Sequence, residues 1–79
     1  MHEPISVYSI FHNGSIKPLS FMWKKRRISV ENITYSWETI EESGVNMHFS
    51  IVSGNFYYHL VYIPAFSRWY ICDVESTVV

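Results

Sequence analysis

Asn46-Met47-His48-Phe49-Ser50-Ile51-Val52-Ser53-Gly54-Asn55-Phe56-Tyr57-Tyr58-His59-Leu60-Val61-Tyr62-Ile63 is the stretch that decides the fold. Gly54-Asn55 at its centre is a hairpin signal, because glycine and asparagine tolerate the left-handed backbone of a two-residue turn. A turn there pairs Ser53 with Phe56 and sorts the flanking side chains onto two faces. Met47, Phe49, Ile51, Tyr58, Leu60 and Tyr62 share one face. His48, Ser50, Val52, Tyr57, His59 and Val61 share the other. The first set is apolar and bulky enough to be core. Such strict alternation marks an antiparallel sheet with one buried face.

Working outward, residues 5–12, 15–23, 28–37 and 68–75 are also rich in β-branched and aromatic side chains. Turn signals separate them: Asn13-Gly14, the basic Lys24-Lys25-Arg26-Arg27, an acidic stretch over 38–44, and a turn over 64–67 that opens with Pro64. Pro18 cannot donate to a ladder, so it predicts an edge or a bulge within its strand. In 28–37 the apolar positions run 28, 30, then 33, 35, 37. The parity changes near Glu31-Asn32, which predicts a bulge there. Residues 39–42 are too few for a stable helix, and 38–44 reads as a polar loop. No helical pattern alternates with the strands, which excludes parallel βαβ units. The expectation is one all-β domain over 1–79, with its core between 5 and 75. Its form is a six-stranded antiparallel meander, curled into a strongly twisted sheet or small barrel.

Composition agrees. A chain of 79 residues has room for one thin core. Hydrophobic residues at 48% and aromatics at 18% supply bulk to fill it without disulfides. The single cysteine, Cys72, cannot form an internal disulfide. The first residues carry no signal-peptide pattern, and no apolar run approaches the ~20 residues of a membrane span. A cytoplasmic protein without membrane contact is expected. Charged residues make up only 16% and the net charge is −1, which argues against a strong non-specific hold on nucleic acid. Many neutral positions must face outward, which favours a protein partner or self-association.

The chemistry-bearing residues form no catalytic pattern. His48 and His59 are diagonal neighbours, about 7–8 Å apart by sheet geometry. Two imidazoles can begin a metal site, which needs a third or fourth ligand. Cys72 and Asp73 lie on another strand, so no metal or cofactor is expected. Cys72 reads as a buried small hydrophobe and His2 and His12 as ordinary surface residues. Glu38, Glu41 and Glu42 match no calcium loop. Trp23, Trp37 and Trp69 near strand ends are expected to cap the core. A non-enzymatic module is therefore expected, and two surfaces compete for its function. Val52, Tyr57 and Val61, on the outer face of the 46–63 hairpin, form a candidate surface for an unidentified protein partner or a homodimer. Lys24, Lys25, Arg26 and Arg27, with Trp23 as a stacking ring, form the alternative, a weak nucleic-acid contact.

The succession Phe21-Met22-Trp23, the basic turn, Val30-Glu31-Asn32-Ile33, Trp37, Met47-His48-Phe49-Ser50-Ile51-Val52, Tyr58, Leu60 and Trp69 resembles a family of short bacterial all-β proteins of unknown function. That family has a Phe-x-Trp-x-Gly-x-x-Tyr-x-Val stretch before a Trp and a Tyr/His-Phe-x-Val strand. The likeness runs over about 5–75. Some members look like companions of translesion DNA polymerases, so the resemblance implies a distant link to DNA repair and assigns no site residues. Lys25 stands where that pattern has glycine and Ile28 where it has tyrosine. The turn at Lys25 is thus expected not to require positive φ.

Overall fold

The computed structural model describes residues 2–78. Among them are seven strands: β1 (Glu3–His12), β2 (Ser15–Trp23), β3 (Arg26–Ser29), β4 (Asn32–Glu41), β5 (Gly44–Ser53), β6 (Phe56–Ile63) and β7 (Arg68–Ser76). All pair antiparallel in one sheet of order β3-β2-β1-β7-β6-β5-β4. The sheet curls into a half-barrel. Among the described residues no helix is long and apolar enough to cross a membrane.

The order is a ring of consecutive strands, opened at one place. The first and last strands close it, through Glu3–Ile71, Pro4–Tyr70 and Ile5–Trp69. The opening falls between β3 and β4. The predicted third strand over 28–37 is thus two strands, at opposite edges of the sheet. The chain crosses between them at Val30-Glu31. Val30 N–H donates to Leu19 O at 2.9 Å on β2, and Glu31 N–H donates to Val52 O at 3.1 Å on β5. Glu31 Oε2 also accepts from Gly54 N at 3.0 Å. The edges are tied at this crossing and free beyond it.

Three bulges set the curl, one of them on β7 opposite His59-Leu60. A second lies opposite Tyr8-Ser9, where Leu19 is skipped in the β1–β2 register. It adjoins Pro18, as the missing donor predicts. Before it Ile16 and Pro18 are buried, and after it Phe21. The third skips Thr34, between Ile33 and Tyr35. The parity change expected near Glu31-Asn32 is the break between β3 and β4, across which Val30 and Ile33 both pack on the core, and Thr34 adds a second reversal. The Thr34 side chain anchors this bulge, donating from Oγ1 to Ser50 O at 3.0 Å.

The 46–63 hairpin pairs as its alternation dictates, from Met47–Tyr62 to Ser53–Phe56. Phe49, Ile51, Tyr58 and Leu60 are buried, together with Ile16, Phe21, Ile28, Trp69 and Ile71. Met47 and Tyr62 pack against that cluster. The expected acidic loop is instead a tight turn. β4 runs to Glu41 and β5 starts at Gly44, so Glu38 and Glu41 lie on a ribbon. That ribbon overhangs β6, whose pairing with β5 begins only at Met47. Carboxylates there stay hydrated, so the strand tolerates them.

Candidate functional site

The opened side of the ring is concave. β3 covers β2 only from Ser20 to Trp23, and Val30 N–H reaches Leu19 O, which leaves the edge of β2 from Ser15 to Pro18 unpaired. Among the described residues β4 pairs only with β5, so its other edge is unpaired along ten residues. A groove of about 710 Å³ lies between the two edges. Ile16, Ile33, Met47 and Phe49 give it an apolar lining, and Lys17, Ser36 and Glu38 give it polar points. The two edges are not equivalent. Lys17 and Pro18 guard the β2 edge, as lysine and proline do on strands that must not pair. β4 has neither residue. Its sequence, with Ile33, Thr34, Tyr35, Trp37, Thr39 and Ile40, is that of a strand interior.

Behind this edge, on the outer face, lies a polar aromatic cluster. Trp37 is the cross-strand partner of His48, and His59 stands opposite both Ser50 on β5 and Asp73 on β7. The indole lies flat on His48, with ring centroids 5.0 Å apart and planes at 10°. It also covers His59 at 5.1 Å, and Tyr35 stacks on it at 5.5 Å. His48 Nδ1 and His59 Nε2 share a hydrogen bond of 2.9 Å. Thr39 Oγ1 and His48 Nε2 share another of 2.9 Å, whose direction follows the His48 tautomer. Burial lowers the His48 pKa, opposed by Glu41 and reinforced by His2. Burial also lowers that of His59, with His48 and His2 adding to the effect and Asp73 opposing it.

The diagonal relationship of the histidines is as the alternation predicts, but the rings meet directly instead of standing apart. Their centroids are 5.1 Å apart. That is about the 2.9 Å hydrogen bond plus the two ring radii, so the nitrogens meet head-on. Lone pairs aimed at each other do not converge on a point ~2.0 Å from both, as a metal requires. Among the described residues no group of three or more His, Cys, Asp or Glu is placed to hold a metal. Hydroxyl, imidazole, imidazole is also the order of a nucleophile, a base and an orienting group. Thr39 itself does not line the groove, whereas Trp37 and His48 do.

The predicted surfaces fare unequally. Tyr57 is exposed and Val52 half-buried. Val61 does not offer itself to a partner. It points outward as its parity requires, yet it is only 2% exposed, flanked in the ladder by the larger His48 and Tyr70. Lys24, Lys25, Arg26 and Arg27 are all exposed. Trp23 is not an open stacking ring. It packs against the core, donates Nε1–H to Glu3 Oε2 at 2.8 Å, and carries Lys24 Nζ over its face at 4.7 Å. Lys24 and Lys25 take φ of 50° and 63°. The turn does require positive φ at Lys25, against expectation. Its backbone matches Asn13-Gly14, at 52° and 77°, but lacks the residues that adopt it cheaply.

Of the three tryptophans, Trp69 is core and Trp23 is half core. Trp37 is not a core cap. The bulge at Thr34 turns it to the outer face, and nothing in the local sequence marks that reversal. The free β4 edge was likewise hidden, since it depends on which strands fail to pair. Comparison with family models, curated proteins and solved structures found no match.

Proposed function

We propose that this domain is a non-enzymatic interaction module that takes an extended segment of another polypeptide by strand addition to β4. The observation that carries this reading is the ten-residue unpaired edge of β4, beside a groove with an apolar lining. Main-chain groups of an incoming strand would pair with that edge, and alternate side chains would enter the groove. The overhanging β4–β5 ribbon carries Glu38, Glu41 and Glu42, so a segment alternating apolar and basic residues suits it best. Exposed Ile40, 87% accessible, extends the apolar contact at the ribbon tip.

The test uses a peptide of alternating valine and lysine, followed by amide resonances and by hydrogen exchange. Binding is expected to shift and protect amides of 33–40. Ser36→Lys, which places a charge in the groove, is expected to weaken it at least tenfold. Shifts confined to other strands would refute the β4 edge as the contact. Sedimentation of the protein alone separates a foreign segment from a second copy of the chain as occupant.

A second reading is favoured by one observation. Two consecutive lysines hold positive φ where asparagine and glycine would do so more easily, and strained residues cluster at functional sites. A basic turn kept at that cost suits a weak phosphate contact, with Trp23 excluded as its stacking partner. Salt-sensitive binding of single-stranded DNA, lost on reversing Lys25 and Arg26 to glutamate, would support it.

A further inference from the structure

The His48–His59 pair has a simple proton balance. In the neutral pair one nitrogen of the shared bond carries a hydrogen and the other accepts it. One added proton leaves every contact intact. Doubly protonated His48 donates Nδ1–H to His59 Nε2 and Nε2–H to Thr39 Oγ1. Trp37 then lies over a cation, which an indole face favours. A second proton must go on His59 Nε2. Two N–H groups of two cations then face each other across 2.9 Å, and the bond becomes a repulsion.

We propose that the pair is an acid-release latch: the second proton drives the two rings apart and frees the Trp37 side chain from the outer face of β5 and β6. The charged groups around the pair bear on both steps. Glu41 on β4 favours protonation of His48, and Asp73 on β7 favours that of His59. His2, from the segment before β1, opposes both. The carboxylates lower the cost of the first proton. They lie outside the head-on contact, so they do not remove the clash that the second creates. Thr34 and Ser50 hold the near end of β4, so release acts on the Trp37 side chain beyond the bulge. Trp37 borders the groove. An effect on partner binding rests on the strand-addition reading, while the latch itself does not.

Nuclear magnetic resonance tests it. The imidazole C–H signals of His48 and His59 and the indole N–H signals of Trp37 and Trp69 are followed from pH 7.5 down to 4.5. Two imidazole steps are expected, the second at a proton concentration at least ~10-fold higher than the first, as strongly coupled sites require. The Trp37 signal should move with the second step while buried Trp69 stays in place. His59→Gln should leave one imidazole step and remove the Trp37 movement. Independent titration within a factor of ten overturns the latch. So does Trp37 movement that persists in His59→Gln, or joint movement of Trp37 and Trp69, which reports global unfolding. If Trp37 is released but affinity for the valine–lysine peptide is unchanged, the latch stands and strand addition at β4 falls.

Discussion

Phe21 meets Tyr58 edge-on across the interior of the half-barrel, with centroids 5.2 Å apart and planes at 72°. The two belong to β2 and β6, which are not neighbours in the sheet. Trp23 meets the same tyrosine at 6.0 Å. This contact between the two arms helps hold the curl, because among the described residues three residue pairs join β1 to β7. Phe21→Ala is expected to cost about 3–5 kcal/mol, much of the stability of so small a domain. Urea denaturation measures it. Phe21→Leu, which keeps most of the volume, should cost clearly less.

The basic turn predicts the opposite sign. Each non-glycine residue in the left-handed region costs on the order of 1–2 kcal/mol. Replacing Lys24 and Lys25 by Asn and Gly should therefore stabilise the fold by about 1–2 kcal/mol in total. Each kcal/mol is about 4–8 °C in thermal midpoint for a domain this size. No gain would mean that the lysine side chains repay their backbone strain elsewhere, with the Lys24 contact on Trp23 the first suspect.

The histidine pair predicts a pH dependence. Burial lowers both pKa values in the folded chain, so the unfolded chain binds protons more readily. The stability they contribute is complete above the ordinary histidine value of about 6.5, and is lost as pH falls through the lowered folded values. Urea midpoints should fall from pH 7 toward 5, and His59→Gln should flatten that slope. An unchanged slope would show that the pair does not govern acid stability.

Burial raises the pKa of Cys72, with Asp73 beside it acting in the same direction. The thiolate, which is the reactive form, is therefore scarce. Labelling by a disulfide reagent should be at least about tenfold slower in the native protein than in urea. Equal rates would show that β7 opens readily at its bulge opposite His59-Leu60.

The hairpin of β5 and β6 was legible in full, because its turn and its alternation are both local. Every pair from Met47–Tyr62 to Ser53–Phe56 follows from them. The split of 28–37 was not. Ile28 and Ile33 both read as buried strand residues, and both pack in the core. Their pairing partners lie far along the chain, so no local signal says that they sit at opposite edges. One unpaired residue at Thr34 reverses every later side chain. That alone separates Trp37 as a core cap from Trp37 as a cover for two histidines. Val61 shows the same limit in another form: parity gave its direction, while its burial depended on the size of neighbours across two ladders.

The opening of the ring in mid-sequence also orders events in time. Strands β1, β2 and β3 can form a meander early, and β4 to β7 a second one. Among the described residues, the one strand pairing between them joins the first strand to the last. A ribosome that releases the chain from its first residue onward thus completes one sheet only when β7 emerges. Without that pairing the two meanders share no ladder, and the Val30-Glu31 crossing is the covalent tether between them.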